Sequence, residues 1–292
     1  MSKLVTVVIT TYNRPELFKR ALNSVINQTY RNIEVIVIDD NSSITLQDYI
    51  NTIREKNNID IIYHRNDENM GANYCRNKAL ELAKGYYITG LDDDDYFLEN
   101  RIQFFIDKMK SEYSFICDNY LIKNGRSYHK RFNGEELITL NNIVLDNIAG
   151  NQVFVEKQKI IKAGRYDENF SRLQDHDAWT RLIINYGNAY RFNGCTYIMD
   201  TTHEHARITT TIKDYTAYRK YYYKFRNYMP IFQMKKNLIR LCYLRGIPTS
   251  KLIKYIFKLK IPYNFSIPII IKKIMPWSII IKRKLIDTKI KK

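Results

Sequence analysis

Short apolar runs and helical patterns alternate through the first 120 residues of the chain. Between residues 16 and 28 apolar side chains come in pairs, one pair every four residues, which indicates a helix with one apolar face. Residues 34–38 are almost all apolar, as expected of a strand with helices on both faces of its sheet. Strands are predicted over 4–11, 34–38, 60–63, 86–91 and 114–117, and helices over 16–28, 45–56, 72–84 and 99–110.

The alternation of strands and helices implies right-handed crossovers, so the predicted fold class is α/β, with a mostly parallel central sheet flanked by helices. After residue 150 the pattern loosens, and the sequence predicts strands over 152–155 and 190–199 and helices over 156–163 and 175–186. After residue 214 the composition changes to Lys, Tyr, Ile and Leu, with helical stretches near 217–228, 232–244 and 250–258. We therefore expect one domain over residues 1–213 and a basic, mainly helical C-terminal extension over residues 214–292.

Charge is distributed unevenly along the chain, whose formal net charge is +17. Residues 211–292 contain 21 Lys and Arg and two acidic residues, whereas the part before them is close to neutral. This asymmetry predicts a polyanionic partner for the C-terminal part, either an anionic membrane or a nucleic acid. The composition, 45% hydrophobic and 26% charged, excludes wholesale disorder.

Targeting and redox signals favour a cytoplasmic protein. No apolar run approaches the ~20 residues that span a bilayer, and the run over residues 4–10 is too short for the core of a signal peptide. The four cysteines, Cys75, Cys117, Cys195 and Cys242, are far apart and show no paired spacing. Free thiols in a reducing compartment therefore fit the sequence better than disulfides or a zinc site.

Three polar clusters follow predicted strands, at residues 10–14, 39–42 and 92–95. In open α/β sheets ligands bind beyond the carboxyl ends of the strands. If the strands are parallel, all three clusters lie on one edge of the sheet. The first cluster also precedes a helix, whose free N–H groups favour an anion. This coincidence predicts a ligand site more specifically than any one cluster does.

The third cluster consists of four consecutive carboxylates, Asp92 to Asp95, whose mutual repulsion requires compensation. Alternate residues such as Asp92 and Asp94 can project to the same side and form an oxygen site for Mg²⁺ or Mn²⁺. Such an ion commonly bridges a diphosphate and stabilises the charge of a departing phosphate. The alternative is an acidic turn at the positive end of the following helix.

Two further candidates precede or begin predicted helices. Asp39 and Asp40 could cap the helix over residues 45–56, or accept hydrogen bonds from the base or ribose of a nucleotide. Arg76 follows Gly71 in the first turns of another helix. It could reach a phosphate or the acidic cluster, or lie solvated on the helix surface.

The second half of the chain holds two more pairs of candidate residues. Asp175 and Asp177 could cap a helix or supply a general base that faces the metal site. His205 and Arg207 follow the last predicted strand of this part. They could supply a metal ligand and a phosphate-binding side chain, or belong to a surface loop, because His203 and His205 are two residues apart and do not have the spacing of a zinc metalloprotease.

The sequence resembles a family 2 glycosyltransferase of the GT-A fold, the inverting, sugar-nucleotide-dependent class, of bacterial surface-glycan type. The resemblance covers residues 3 to about 210. It consists of five ordered blocks, which make it far more specific than a lone DxD motif. The blocks are residues 8–14, 37–42, 69–77, 91–95 and 174–179.

The resemblance implies which residues hold the donor. The nucleoside would be held by Thr11, Tyr12, Arg14 and either Asp39 or Asp40. Contacts to the rest of the nucleotide sugar would come from Arg76, Asp92, Asp93 and, by a looser match to a segment that closes over the diphosphate, Arg207.

Catalysis and metal binding are assigned by the same resemblance. Asp175 matches the catalytic acidic position. Asp92 and Asp94 would form the DxD pair, with Asp94 the direct ligand of Mn²⁺ or Mg²⁺ and His205 a further ligand. The implied mechanism is a single displacement with inversion, in which Asp175 removes the proton of the acceptor hydroxyl.

The expected donor is a UDP-sugar, and the expected acceptor is a glycan or lipid-linked glycan of cell-surface polysaccharide or lipopolysaccharide synthesis. The chain departs from the family pattern at two positions. Gln174 stands where the family has Glu, and Asn41 stands where it has Gly. The turn at residue 41 can survive, because Asn tolerates the left-handed conformation that Gly would supply.

The basic C-terminal part lies beyond the resemblance. Over residues 247–292 Lys and Arg interleave with Ile, Leu, Tyr, Phe and Trp277, which predicts peripheral attachment to the anionic inner face of the cell membrane. The alternative is a solvated helical extension that packs on the body of the protein.

Three other functions compete with a glycosyltransferase. A nucleic-acid-binding protein would explain the basic part, but the acidic cluster would repel phosphates, so no nucleic-acid partner is expected. A sugar-1-phosphate nucleotidyltransferase would show a glycine-rich loop after the first strand, and the sequence has none there. An inactive, glycan-binding relative is the third alternative.

Overall fold

The computed structural model describes residues 2–57, 59–202 and 214–275. The chain consists of two compact units, and the division between them falls within residues 203–213. In the described residues the first unit is a β-sheet flanked by helices, and the second unit contains helices alone. His205 and Arg207, both predicted ligand residues, lie outside the described residues.

The described part of the first unit has ten strands in one sheet. They are β1 (Val5–Thr11), β2 (Ile33–Asp39), β3 (Asp60–Arg65), β4 (Tyr87–Asp92), β5 (Tyr96–Phe97), β6 (Ile116–Asn124), β7 (Ser127–Lys130), β8 (Glu136–Ile138), β9 (Phe154–Glu156) and β10 (Ala189–Asp200). Their spatial order is β3-β2-β1-β4-β9-β6-β10-β5, with β7 beside β6 and β8 beside β10.

Helices connect these strands: α1 (Pro15–Ile26), α2 (Gln47–Asn57), α3 (Ala72–Leu82), α4 (Arg101–Lys108), α5 (Leu140–Ile143), α6 (Lys157–Lys162) and α7 (Gln174–Tyr186). Pro15 occupies the first helical position of α1, where its missing N–H leaves no helix hydrogen bond unmade. The predicted apolar face of α1 is buried, and so are all seven residues of β2. Both results follow from the apolar patterns of these segments.

Parallel pairing brings the three polar clusters together. β1 pairs in parallel with β2 and with β4, and β2 pairs in parallel with β3. In this register Thr11 lies opposite Asp39, and Thr10 lies opposite Asp92. The carboxyl ends of β1, β2 and β4 therefore meet at one edge of the sheet, which confirms the arrangement predicted from the sequence.

The other half of the sheet is mixed. β9 runs antiparallel between β4 and β6, whereas β6 and β10 are parallel. β5, β7 and β8 are antiparallel to the strands they pair with. The predicted α/β class with a helix-flanked central sheet is confirmed, and its parallel strands are concentrated in the half that carries the polar clusters.

In the first unit the sequence pattern missed several short elements. β5, β7 and β8 have two to four residues each, too few for an alternating pattern to emerge. β6 continues to Asn124, well beyond its predicted end at Cys117, because its second half pairs with β7 and β10. The pairing of β6 with β10 shifts register between Phe192 and Tyr197, which the sequence did not reveal.

The described part of the second unit contains the helices α8 (Asp214–Phe225), α9 (Ile231–Leu244), α10 (Thr249–Lys258) and α11 (Tyr263–Ile274), with a 3₁₀ turn at Arg226–Tyr228. The last three each follow a proline directly, at Pro230, Pro248 and Pro262. Proline is tolerated at the start of a helix, where its missing N–H has no partner to lose. It would break a helix that ran through this position, so each helix begins after its proline.

A small apolar core holds the second unit together, formed by Ile239, Leu252, Ile256 and Ile261. The sequence predicted α8, α9 and α10 but not α11, whose apolar run contains Pro268. Across the described residues, the structure has no helix with both the length and the apolar character needed to cross a membrane.

A buried ion pair supports the mixed half of the sheet. Arg101 of α4 is 1% exposed, and its Nη1 lies 2.9 Å from Oδ1 of Asp118 on β6. The other Asp118 oxygen accepts hydrogen bonds from the backbone N–H and the hydroxyl of Thr196, both at 2.7 Å. The guanidinium also lies over the ring of Tyr197, 5.1 Å from its centroid. The pair therefore joins α4 to β6 and β10.

We predict that Arg101→Met lowers the free energy of unfolding by about 3–5 kcal/mol, because it leaves the buried Asp118 carboxylate without its cation. Urea denaturation followed by circular dichroism measures this change. Lys19→Met is the control, since Lys19 pairs with Glu16 at the surface and should lose at most about 1 kcal/mol. Equal denaturation midpoints for the two variants would contradict the prediction.

Candidate active site

The acidic cluster, Asp92 to Asp95, follows β4, and donors from other elements compensate its charge. Asp92 accepts hydrogen bonds from Asn151 Nδ2 at 2.6 Å, Gln152 Nε2 at 2.9 Å and Arg76 Nη2 at 3.2 Å. One cation and two amides thus offset this carboxylate. They come from α3 and from the segment before β9, which the sequence pattern could not place beside β4.

Asp93 and Asp94 lie toward the carboxyl end of β1. The Thr11 hydroxyl donates a hydrogen bond to Asp93 at 2.8 Å, and Arg14 Nη1 lies 3.1 Å from the other Asp93 oxygen. Arg14 Nη1 also lies 3.4 Å from Asp94 Oδ2. Burial raises the pKa of Asp93 to about 6, although Arg14 and Thr11 favour its charged form. These contacts join the first polar cluster to the acidic one.

Asp95 points into the protein. It accepts a hydrogen bond from the Tyr197 hydroxyl at 2.6 Å and from the backbone N–H of Asp200 at 2.9 Å. Burial, together with the negative charges of Asp94 and Asp92, raises the pKa of Asp95 well above its usual value. Asp95 therefore anchors the acidic cluster to β10, behind the edge where a ligand would bind.

Asp39 ends β2 and shapes the turn that follows it. It accepts hydrogen bonds from the backbone N–H of Ser42 at 2.8 Å and from the Tyr63 hydroxyl at 2.7 Å. Asn41 adopts the left-handed conformation, with φ 66°, as predicted for the residue that replaces Gly. Asn13 donates its backbone N–H to Ser42 Oγ at 2.9 Å, which ties this turn to the end of β1.

Asp40 holds the start of α3. One of its oxygens accepts hydrogen bonds from the backbone N–H of Met70 and from Asn66 Nδ2, and the other accepts from the backbone N–H of Gly71, each at 2.8 Å. Its own backbone N–H donates to the Thr11 carbonyl at 2.9 Å. The carboxylate that the sequence offered as a nucleotide contact is thus engaged in placing the helix that carries Arg76.

One polar face of α3 is buried, and it binds the segment that precedes α7. Asn73 Nδ2 donates to the Phe170 carbonyl at 2.7 Å, and Asn77 Nδ2 donates to the Tyr166 carbonyl at 2.9 Å. Arg76 lies between these two asparagines in the sequence, and its guanidinium is 5.4 Å from the centroid of the Tyr166 ring. The block at residues 69–77 therefore connects the acidic cluster to the α7 region.

Arg76 lies between two carboxylates from distant parts of the chain. Its Nη2 is 3.2 Å from Asp92 Oδ1, and its Nη1 is 3.9 Å from Asp175 Oδ1. Burial works against the charged guanidinium, but Asp175 and Asp92 outweigh it and raise the pKa of Arg76 above its ordinary value. Arg76 thus keeps its charge and brings Asp175 next to the acidic cluster.

Asp175 stands in the first turn of α7, which begins one residue before its predicted start and has Leu173 at the N-cap position. The residue before α7, Leu173, has φ 64°, a left-handed conformation that is uncommon for a bulky side chain. Asp175 Oδ1 is buried, and no donor among the described residues makes a hydrogen bond to it. Burial raises the pKa of Asp175 to about 7, an effect that Arg76 opposes and Asp92 reinforces.

Asp177, the other candidate base, occupies a different environment. Its side chain is fully buried and lies 2.8 Å from Arg181 Nη2, one helical turn further along α7. Arg181 in turn donates to the carbonyls of Ala163 and Arg165. The structure therefore places Asp175, and not Asp177, beside Arg76 and the acidic cluster, a distinction that the spacing of the two residues left open.

A recess of about 130 Å³ opens beside the first and second polar clusters. The residues that line it are Asn13, Arg14, Pro15, Ser42, Ser43, Ile44 and Leu46. Tyr12, which directly follows β1 and precedes the lining residue Asn13 in the sequence, is half-exposed. The edge of the sheet thus offers a concave surface, one cation and several polar groups within a short stretch.

Comparison with known proteins identifies the family of this chain. The family model "Glycosyl transferase family 2" matches residues 6–163. The chain is 31% identical to the putative colanic acid biosynthesis glycosyl transferase WcaA of Escherichia coli K12, over 83% of this chain and 88% of that protein. This chain belongs to glycosyl transferase family 2. The glycosyltransferase is also 33% identical to an Escherichia coli enzyme named UDP-Glc:alpha-D-GlcNAc-diphosphoundecaprenol beta-1,3-glucosyltransferase WfgD, over 62% of this chain and 70% of that enzyme.

Solved structures show the fold of the glycosyltransferase. Residues 1–349 of Staphylococcus aureus TarS in complex with UDP-GlcNAc superpose with a TM-score of 0.66 at 17% identity, covering 89% of this chain and 82% of that one. The complex of the same protein with UDP gives a TM-score of 0.64 at 18% identity, over 82% and 70% of the two chains. The glycosyltransferase therefore has the GT-A fold.

Two site residues of the glycosyltransferase escaped the sequence reasoning. Asn151 and Gln152 both donate to Asp92, yet the sequence suggested only that a strand begins near residue 152. The lack of a side chain at Gly90 leaves room for Gln152 beside Asp92, because an added Cβ at this position would lie 2.0 Å from Gln152 Oε1. The sequence signal was the polar pair Asn151 and Gln152 directly after Gly150. In the structure Gly150 has φ 88°, in the left-handed region that favours glycine.

The acidic cluster suits a hard cation by its chemistry, since carboxylate oxygens are what Mg²⁺ and Mn²⁺ prefer. Both oxygens of Asp92 already accept hydrogen bonds, whereas Asp94 lies 3.4 Å from Arg14. Within residues 2–57, 59–202 and 214–275, no group of three or more His, Cys, Asp or Glu is placed to hold a metal ion. Mg²⁺ is often held by one or two carboxylates with phosphate oxygens and water, which fits a cation that arrives with a diphosphate.

We predict that Arg76→Gln raises the pKa of Asp175 above about 7, by about one unit or more, because it removes the cation that favours the carboxylate. Carboxyl NMR of protein labelled with ¹³C-aspartate measures this pKa, and Asp175→Asn assigns the signal. Arg76→Lys, which keeps the charge, should leave the pKa closer to that of the unmodified protein. An unchanged Asp175 titration in Arg76→Gln would show that the two side chains do not interact.

Proposed function

We propose that this glycosyltransferase moves a sugar from a UDP-sugar to a hydroxyl of a glycan acceptor, with inversion at the anomeric carbon. The observation that carries the proposal is the placement of Asp175. Its Oδ1 is buried, makes no hydrogen bond among the described residues and lies beside Arg76 and the acidic cluster. A carboxylate in this state has an acceptor site available for a proton from a bound hydroxyl.

The reaction is a single displacement. The acceptor oxygen forms a bond to the anomeric carbon while its proton passes to Asp175. The bond from the anomeric carbon to the β-phosphate oxygen breaks, and UDP leaves with the electron pair. A pKa raised by burial to about 7 suits Asp175 for this role, since a general base works best when its pKa lies near the operating pH.

The donor would occupy the edge formed by β1, β2 and β4. Thr11, Tyr12, Arg14 and Asp39 would contact the nucleoside near the recess at residues 13–15 and 42–46, and Asp40 would act by holding that edge in shape. Asp92, Asp93 and Arg76 would face the nucleotide sugar, with Arg207 as a further contact. The TarS structures that contain UDP and UDP-GlcNAc support a UDP-sugar as the donor.

Mn²⁺ or Mg²⁺ would be held by Asp94, with Asp92 close by and His205 as a further ligand. When bound, such an ion neutralises charge on a departing diphosphate. Arg14, which lies within 3.4 Å of both Asp93 and Asp94, would share that task from the protein side. The residues present thus supply two carboxylates and one cation at the place where the diphosphate would lie.

The acceptor is proposed to be lipid-linked and part of bacterial surface-glycan synthesis. WfgD is named for a diphosphoundecaprenol acceptor, and WcaA is named for colanic acid biosynthesis. Residues 1–213 would perform the transfer in the cytoplasm. The basic residues of the extension over 214–292, above all those over 247–292, would attach it to the anionic inner face of the membrane, where each contributes about 1 kcal/mol.

We predict that Asp175→Asn lowers the rate of sugar transfer at least about 100-fold while donor binding is kept, because the amide cannot take the proton. Transfer is measured with a panel of UDP-sugars and diphosphate-lipid acceptors, and NMR of the product tests for inversion. The control is Asp67→Asn, an exposed acid outside the site. Transfer at the unmodified rate by Asp175→Asn would reject the assigned base, and donor binding without any transfer by the unmodified protein would favour a glycan-binding relative.

We predict that a cognate UDP-sugar stabilises the protein more with Mn²⁺ than without it, and that Asp94→Asn removes the Mn²⁺-dependent part. At a donor concentration 100 times the dissociation constant, mass action gives about 2.7 kcal/mol. Thermal-shift titrations measure this effect, with Asp107→Asn on the exposed side of α4 as the control. A Mn²⁺-dependent shift that survives in Asp94→Asn would remove Asp94 from the metal site.

A further inference from the structure

Helix α11 is apolar on both of its sides. Phe265, Ile269 and Ile270 pack against the core of the second unit. Tyr263, Ile267, Ile271 and Ile274 are large apolar residues that are between 43% and 70% exposed. Spacings of four, four and three residues place these four side chains on one face of the helix. We refer to them as the exposed α11 face.

Such a face is unusual on a monomeric surface. Single exposed apolar residues are normal, but a continuous row of them marks a binding surface. Burying one isoleucine side chain is worth about 1.5–3 kcal/mol, so leaving three isoleucines in water forgoes a sizeable stabilisation. The helix, at twelve residues, is too short to cross a bilayer, so a membrane would contact this face at its surface.

The charged residues in the described part of the second unit are almost all positive. Residues 214–275 contain fourteen Lys and Arg and one acidic residue, Asp214. Lys272 extends from α11 itself into solvent, and the neighbouring α10 exposes Lys251, Lys254 and Lys258. The surface of the second unit therefore combines an apolar row with a positive field.

We propose that the exposed α11 face inserts into the interfacial layer of an anionic membrane while exposed lysines of the second unit bind lipid headgroups. This inference rests on the proposed function, because it names the part of the extension that makes the membrane contact. A membrane supplies both an apolar layer and negative charge, the two properties that this surface complements.

Two other occupants fit less well. A second copy of this chain would bring the same positive charges into contact, and their repulsion disfavours association. A nucleic acid would match the lysines, but the apolar contacts it makes are stacked bases on aromatic rings, whereas three of the four side chains are isoleucine. Charge and apolar character together therefore favour the lipid surface.

The test compares binding of the full-length protein to phosphatidylcholine vesicles with and without 30% phosphatidylglycerol. Ile267→Ser and Ile271→Ser should each weaken binding to the anionic vesicles roughly tenfold, since each removes one inserted side chain. Leu137→Ser on β8 is the matched control, because Leu137 is 46% exposed and Ile267 is 48% exposed. Binding of this control should equal that of the unmodified protein.

Each outcome has a defined meaning. Equal vesicle binding by Ile267→Ser, Ile271→Ser and Leu137→Ser would overturn the inference, as would a change in oligomeric state that accompanies the loss of binding. Loss of binding on Lys→Gln changes at 251, 254 and 258 without an effect of the isoleucine variants would leave the membrane attachment in place and reject the inserted face. Sugar transfer to a water-soluble acceptor, measured in parallel, reports on the proposed reaction independently of vesicle binding.

Discussion

The site depends on the sharing of two arginines among four carboxylates. Arg76 lies between Asp92 and Asp175, and Arg14 lies between Asp93 and Asp94. Carboxylates held this close in a partly buried place repel one another, and removal of one partner of such a group leaves an uncompensated charge. The arginines therefore connect residues of β1, β4 and α7 through ion pairs. Any anion that enters meets cations that are already in position.

Hydrogen bonds to the backbone fix the position of α3, which carries Arg76. Asp40 binds the N–H groups of Met70 and Gly71 and so sets the start of α3, four to six residues before Arg76. Asn73 and Asn77 then bind the carbonyls of the segment that leads into α7. The end of β2, the helix α3 and the start of α7 therefore form one connected support. Much of the polar sequence that resembles a ligand-binding motif serves this support.

Periodicity was sufficient for the long elements and for the shared edge of the sheet. The apolar face of α1 and the fully apolar β2 follow from local sequence, and parallel pairing of β1, β2 and β4 then places Asp39 and Asp92 on one edge. Other features depend on contacts between distant residues. The inward direction of Asp95 and the amides at Asn151 and Gln152 depend on β10 and on the turn at Gly150, which no local pattern encodes.

The choice between Asp175 and Asp177 is a further case, since both lie in the first turn of one helix and differ only in what surrounds them. α11 was missed for a different reason. Its apolar side chains occupy both sides, so the one-sided pattern of an ordinary surface helix is absent, and Pro268 interrupts the run. Among the helices, local periodicity is therefore most informative where one face is buried and the other is polar.

Leu173 has a consequence for how this protein could change over time. Its left-handed backbone costs on the order of 1–2 kcal/mol, and it lies directly before α7, two residues from Asp175. The direction of the Asp175 side chain thus depends on the main chain that leads into α7. Under the proposed function, neighbouring loops could vary in length and sequence, and with them the sugars that are accepted, while the proposed proton acceptor keeps its direction. In this architecture, new specificities can arise without the chemistry having to be rebuilt.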